Sequence, residues 1–166
     1  QVDSEYVLGA LTEAGYSLTT DPRSADLIVI TTCAFLQSAV RESEAAIVEA
    51  LKLKQGSSSE EVVVAGCLVE RYGKSLKRKF PAVDLWVPLA DMPRIPRLLA
   101  SRLSPLASGS PHSAICNLES RIYNRPAPRV LSTPAHFAYL KIADGCDNRC
   151  SYCMIPDIRG PFRSRP

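Results

Sequence analysis

Asp26-Leu27-Ile28-Val29-Ile30-Thr31-Thr32-Cys33 is a continuous β-branched and aliphatic run that ends on a thiol. A strand with one wet face alternates apolar and polar residues. One that is apolar throughout expects cover on both faces, as in a buried parallel sheet. Val62 to Ala65 repeats the pattern and leads into Gly66-Cys67, and Leu85 to Val87 is a shorter third run. Between these runs lie helical periods. Leu36, Val40, Ile47 and Leu51 recur at helical spacing, with Arg41, Glu42, Glu49 and Lys52 mostly on other faces. Gly56 and the three serines after it read as a loop. A second helix is expected from about Val69 to Lys79, stopped by Phe80-Pro81, because the residue before a proline disfavours helical backbone. Another spans Ile95 to Leu103. Upstream, Val7, Leu8, Leu11 and Ala14 share a helix face, with Asp3 or Ser4 as the cap and Gly15 at the C′ position. Strands alternating with helices predict an α/β fold, an open, mostly parallel sheet with flanking helices. Since the chain opens on a helix, a first strand is expected to precede it.

The hydrophobic share of 46% and charged share of 22% are those of an ordinary globular protein. A net charge of +3, from 20 basic and 17 acidic residues, does not by itself indicate a nucleic-acid partner. No apolar run approaches the ~20 residues of a membrane helix, and Gln1-Val2-Asp3-Ser4-Glu5 has none of the features of a signal peptide. A cytoplasmic protein is expected. Its six cysteines are unevenly spaced, and three crowd into one loop, which favours reduced, metal-binding thiols over disulfides.

From Ser104 to Pro134 the composition turns to proline and serine, as in a linker, with a short extended piece at Arg129 to Ser132. The expected organisation is therefore a first domain over 1–103, a linker over 104–134 and the start of a second domain over 135–166. In that last part His136 to Ile142 reads as a strand. The loop Cys146-Asp147-Asn148-Arg149-Cys150-Ser151-Tyr152-Cys153 follows it, at the strand end where α/β barrels place their chemistry. The chain reaches Pro166 before any barrel could close, so it reads as a fragment.

Three thiols in eight residues are soft ligands, suited to iron–sulfur clusters, zinc or cuprous copper. A closed structural zinc site takes four protein ligands, and this loop has three. Three cysteines can hold three corners of an iron–sulfur cube and leave the fourth iron open. Such an open iron is the one that S-adenosylmethionine chelates in the radical enzymes that use it. Tyr152, an aromatic just before the third cysteine, fits the habit of that group.

The run Ala138 to Cys153, with Ile155-Pro156 and Arg159-Gly160-Pro161-Phe162-Arg163-Ser164-Arg165-Pro166, resembles the methylthiotransferases of the radical S-adenosylmethionine group. Within them it is most similar to the RimO-type branch, which methylthiolates an aspartate of a small-ribosomal-subunit protein. Val2-Asp3-Ser4-Glu5, Thr31-Thr32-Cys33-Ala34-Phe35 and Ala65-Gly66-Cys67 resemble that family's accessory domain. The resemblance implies that 1–103 is this accessory domain. It implies equally that 135–166 carries the first strand and cluster loop of a truncated radical S-adenosylmethionine α/β barrel.

By the same resemblance, Cys146, Cys150 and Cys153 hold a [4Fe–4S] cluster that binds S-adenosylmethionine, with Tyr152 beside it. Cys33 and Cys67 match two of the three ligands of a second cluster, the third falling in a segment before Gln1. The implied chemistry is reductive cleavage of S-adenosylmethionine to a 5′-deoxyadenosyl radical, which takes a hydrogen from the β-carbon of the target aspartate. Sulfur then arrives through the second cluster, and a methyl group comes from another S-adenosylmethionine. The implied partners are the ribosomal protein and a reductant such as flavodoxin or ferredoxin, with no membrane and no transfer RNA. No acid–base pair or nucleophilic triad is visible.

Two other functions remain open: the related branch that methylthiolates an adenosine of transfer RNA, and a non-catalytic iron–sulfur or zinc-binding module. Lys141-Ile142-Ala143-Asp144-Gly145 and Arg159-Gly160-Pro161 resemble the protein-modifying branch better than the transfer-RNA branch. The plain alternative for Cys33 and Cys67 is a pair of core cysteines. For Cys116, with His112 four residues before it, it is a linker thiol in place of a substitute for the missing third ligand, and for His136 a solvent-facing strand residue in place of a fourth zinc ligand. Lys74, Lys77, Arg78 and Lys79 read as a solvated helix face or a nucleic-acid contact. Arg159, Arg163 and Arg165 read as solvated or as partners of a carboxylate or phosphate.

Overall fold

The computed structural model describes residues 1–56, 61–103 and 128–164. The elements are α1 (Val2–Glu13), a 3-10 turn (Pro22–Ser24), β1 (Leu27–Thr32), α2 (Gln37–Gly56), β2 (Glu61–Gly66), α3 (Cys67–Lys79), β3 (Leu85–Val87), a second 3-10 turn (Leu89–Arg94), α4 (Ile95–Leu103), β4 (Ala143–Asp144), α5 (Ile155–Arg159) and β5 (Arg163–Ser164). They divide into two compact units. One joins residues 1–18 to 91–141, and the other joins 19–90 to 142–166.

The larger unit is an α/β fold around a parallel three-stranded sheet in the order β1-β2-β3. β2 is central, and its Val62, Val63, Val64 and Ala65 are wholly buried. The unbroken apolar run is the signature of a strand covered on both faces. β1 has the same composition but is half-buried, because β2 is its only ladder partner among the described residues. Val40, Ile47 and Ala50 of α2 and Leu68, Val69 and Leu76 of α3 complete one core with the strands. Each of the valine, leucine and isoleucine side chains contributes on the order of 1.5–3 kcal/mol by leaving water.

Leu36, expected to belong to the α2 stripe, is exposed. It lies just before the helix and supplies only its carbonyl, to Val40 N at 3.0 Å. Gly56, expected in a loop, is the last residue of α2. The serines after it lie outside the described residues, as does the proline- and serine-rich segment to 127. α3 begins at Cys67 rather than near Val69, because Gly66 at φ +108° turns the chain directly from strand into helix.

The smaller unit packs Val7 and Leu11 of α1 with Met92, Ile95 and Leu99 at or near α4, all buried. Asp3 or Ser4 is the cap expected from the sequence, but both lie within the first turn of α1; the N-cap is Gln1. Gly15 does take the left-handed conformation after the helix, at φ +93°, whereas Ala14 is exposed. Glu5 is fully buried. It accepts hydrogen bonds from Ser132 Oγ (2.7 Å), Ser132 N (3.1 Å) and Arg129 Nε (2.7 Å), and Val130 N donates to its carbonyl at 3.2 Å. Asp3 pairs with Lys141 Nζ at 2.7 Å. Gly9 is required where it stands, since a Cβ there would lie 2.0 Å from the Pro128 carbonyl oxygen.

Two expected extended segments are not strands. Arg129 to Ser132 lies along α1 through the Glu5 bonds and forms no ladder. His136 to Ile142, expected as the first strand of a barrel, has no strand partner among the described residues, and Phe137, Tyr139, Leu140 and Ile142 are exposed. A strand exists through its neighbour's hydrogen bonds, and the ladder begins only at β4, antiparallel to β5. No described helix is long and apolar enough to cross a membrane.

Candidate metal centre

The parallel ladder sets Thr32 opposite Gly66, so the next residue on each chain is a cysteine, Cys33 beyond β1 and Cys67 beyond β2. Both therefore stand at the carboxyl edge of the sheet, where open α/β folds place ligands. Thr32 Oγ1 ties the two strand ends together. It donates to the Ala65 carbonyl at 2.7 Å and accepts from Leu68 N at 3.3 Å. Cys33 is exposed, and its backbone is clamped by Ser43 of α2, whose hydroxyl accepts from Cys33 N and donates to Cys33 O, both at 3.2 Å. Cys67 is buried as the first residue of α3. Arg71, one turn further along α3, holds the Ala34 carbonyl at 2.7 Å.

The three-cysteine loop belongs to the same unit. Its base is a cross-brace: Cys146 N donates to Gly160 O at 3.1 Å, Phe162 N to Asp147 Oδ1 at 2.9 Å, and β4 pairs with β5. Gly145 makes the close approach possible. It sits at φ +75°, and a Cβ would lie 2.0 Å from the Pro161 carbonyl oxygen. Cys153 N bonds to Cys150 O at 3.0 Å, forming the turn between the last two thiols. Cys146 and Cys153 are half-buried, Cys150 is exposed, and Tyr152 is 88% exposed.

After the loop, α5 places Ile158 in the core that holds Cys67 and Leu68. The next residue, Arg159, donates from Nη1 to Asp144 Oδ1 at 3.0 Å and from Nη2 to Cys67 Sγ at 3.7 Å. Its guanidinium carbon lies 6.0 Å from the centre of the Phe35 ring. Of the expected cationic partners, Arg159 thus meets a carboxylate, Arg163 is exposed in β5, and Arg165 lies outside the described residues.

None of the five described cysteines is in a disulfide. Among the described residues, no group of three or more His, Cys, Asp or Glu side chains is gathered closely enough to hold a metal ion. The donor chemistry nevertheless suits a soft metal group: the loop offers three free thiols, and Asp144 and Asp147 at its base are engaged by Arg159 and by Phe162 N. Cys116 and His112 lie outside the described residues. His136 is exposed, its ring 5.1 Å from that of Phe137. Lys74, Lys77, Arg78 and Lys79 lie on the exposed face of α3, with Lys79 paired to Glu44 at 2.7 Å. Ser43 carries no sequence signal, and Thr32 and Asp144 stand in the quoted motifs without any sign of these bonding roles. Their partners lie 10, 33 and 15 residues away, and a serine in a helix or a threonine in a strand carries no mark of such a role.

The profile of a family described as "Uncharacterized protein family UPF0004" matches residues 1–88, more than half of the chain. Proteins named ribosomal protein uS12 methylthiotransferase RimO are similar along almost all of it. That of Pelobacter propionicus is 42% identical over 99% of this chain and 36% of its own length. The Trichlorobacter lovleyi protein is 40% identical over 99% of this chain and 36% of its own. For the Anaeromyxobacter protein the values are 42%, 100% and 34%. The chain spans about a third of the length of these curated relatives.

Proposed function

The chain belongs to the UPF0004 family, and on that footing we propose that the protein containing it is a radical S-adenosylmethionine methylthiotransferase, modifying an aspartate of ribosomal protein uS12. The names of the relatives support the substrate. The site geometry supports the chemistry through one observation: the three-thiol loop and Cys67 share one packed unit, bridged by Arg159.

In this reading residues 1–103 form the accessory domain, 104–134 a linker and 135–166 the start of the radical domain. Cys146, Cys150 and Cys153 hold a [4Fe–4S] cluster, and Cys33 and Cys67 provide two ligands of a second. Bound there, the first cluster would supply one-electron reducing chemistry towards S-adenosylmethionine. The residues of this chain do the rest of the positioning. The Gly145 and Cys146 brace to Gly160-Pro161 sets the direction of the loop, the Cys150–Cys153 turn spaces the last two thiols, and Tyr152 is exposed beside them where a cofactor would approach. Ser43 and Thr32 hold the backbone at Cys33 and before Cys67. The remaining partners are a reductant of the flavodoxin or ferredoxin kind and the ribosomal protein, in the cytoplasm.

Anaerobic reconstitution with iron and sulfide tests the reading. Replacing Cys146, Cys150 or Cys153 by alanine is expected to remove one oxygen-sensitive cluster, whereas Cys116→Ala leaves it. Stoichiometric zinc without sulfide would overturn the assignment. For the substrate, mass spectrometry of uS12 and of transfer RNA from a deletion strain is expected to show loss of the modified aspartate alone.

A further inference from the structure

We propose that Arg159 is a positioning residue that fastens the three-thiol loop to Cys67 and tunes the metal group Cys67 helps to hold; this rests on the reading of Cys67 as a ligand.

α5 has five residues, too few to be helical by its own propensity. Its place is set by what it touches, and what it touches is the edge of the sheet at Cys67. Ile158 enters the core, 5% exposed. Arg159 then spans two sites with one planar fork: Nη1 reaches Asp144, two residues before Cys146, and Nη2 reaches the Cys67 sulfur. Asp144 Oδ1 also accepts from Gly145 N at 3.1 Å, so the carboxylate that holds the arginine is fixed to the base of the loop. The arginine side chain is 21% exposed and the aspartate 31%. A lysine's donors radiate from a single nitrogen, so it cannot reproduce the separated, planar Nη1 and Nη2 fork that reaches Asp144 and Cys67 here.

A cationic donor at a cysteine sulfur stabilises the more negative, reduced state of an iron–sulfur group and so raises its reduction potential. Asp144 opposes this by partly neutralising the guanidinium. The two residues are therefore expected to move the potential in opposite directions, which loss of packing alone would not do.

The test uses the full-length protein, reconstituted anaerobically, with Cys146, Cys150 and Cys153 replaced by alanine so that only the second group remains. Cys67→Ala in this background is expected to lower bound iron; unchanged iron would refute Cys67 as a ligand, whatever Arg159 does. Given that loss, Arg159→Gln with Cys67 intact is expected to shift the midpoint potential to more negative values, and Asp144→Asn with Cys67 intact to more positive ones. Arg159→Lys, which keeps the charge, should recover part of the shift. Unchanged potentials in both Arg159→Gln and Asp144→Asn, or shifts of the same sign, would overturn the role of Arg159 while leaving Cys67 a ligand. If Arg159→Gln no longer retains iron, the Asp144→Asn potential decides: a positive shift upholds the role, and none refutes it.

Discussion

Thr32 Oγ1 donates a 2.7 Å hydrogen bond to the Ala65 carbonyl, joining β1 to β2 one residue before Cys33 and two before Cys67. The same oxygen accepts from Leu68 N in the first turn of α3. Thr32→Val keeps the shape and leaves both buried partners without the hydroxyl. A loss of about 1–3 kcal/mol is expected from the unsatisfied groups. Urea unfolding monitored by circular dichroism would measure it, and Thr32→Ser should restore most of the loss. A Thr32→Val protein as stable as the parent would show that the hydroxyl is not what holds these strand ends.

Leu68 is fully buried and Ile158 nearly so, in one core. Leu68→Ala should cost about 2–5 kcal/mol, with Ile158→Ala towards the lower end because it lies at the sheet edge. The second variant also reports on the docking of α5. Faster amide exchange confined to 155–164 in Ile158→Ala, with the strands still protected, is the expected pattern.

The sheet and the helices around it were legible because their signals are local. An apolar run long enough for a central strand, or a 3.6-residue stripe, names its own element, as at Val62 to Ala65 and at Val40 with Ile47. What depends on distant partners was not legible. His136 to Ile142 has strand-like composition but no neighbour to pair with among the described residues, so it stays outside their ladders. The half-burial of β1 follows from its place at the edge of the described sheet, which its residues do not encode. The cysteine spacing marked the three-thiol loop directly. The Arg159 contact with Cys67 joins residues 92 apart and is a property of the folded unit alone.

Glu5 supplies a pH dependence with a definite sign. Its carboxyl is lowered from 4.5 to about 2, first by the Ser132 hydroxyl bond and then by Arg129, against the opposing effect of burial. A folded-state value below the unfolded one means that the charged form stabilises the fold. That contribution is complete above about pH 4.5 and is lost as pH falls from there towards 2. Glu5→Gln removes it, so the gap between parent and variant in urea midpoint should be widest near pH 7 and narrow steadily below pH 4.5. A gap independent of pH between 7 and 2.5 would show that the carboxylate charge is not what Arg129 and Ser132 recognise.

Gly145 is the hinge on which the three-thiol loop closes. At φ +75° an L side chain is strained, and here its Cβ would also meet the Pro161 carbonyl oxygen at 2.0 Å and that of Gly160 at 2.6 Å. Neither is the far end of a flexible side chain; both are backbone. Gly160 O is the acceptor for Cys146 N, so making room for a methyl group must break the bond that sets the first thiol. The β4–β5 pair on either side would part with it, since Asp144 faces Arg163. The core of β2, α2 and α3 does not depend on this contact. Gly145→Ala is therefore expected to lose the iron held by Cys146, Cys150 and Cys153 while the urea transition of the sheet shifts by less than about 1 kcal/mol, within the range of substitutions that leave a core untouched. Iron and sulfide analysis beside denaturation on the same preparation separates the two effects. Full iron content in Gly145→Ala would show that the loop reaches its ligand geometry without the Gly160 brace.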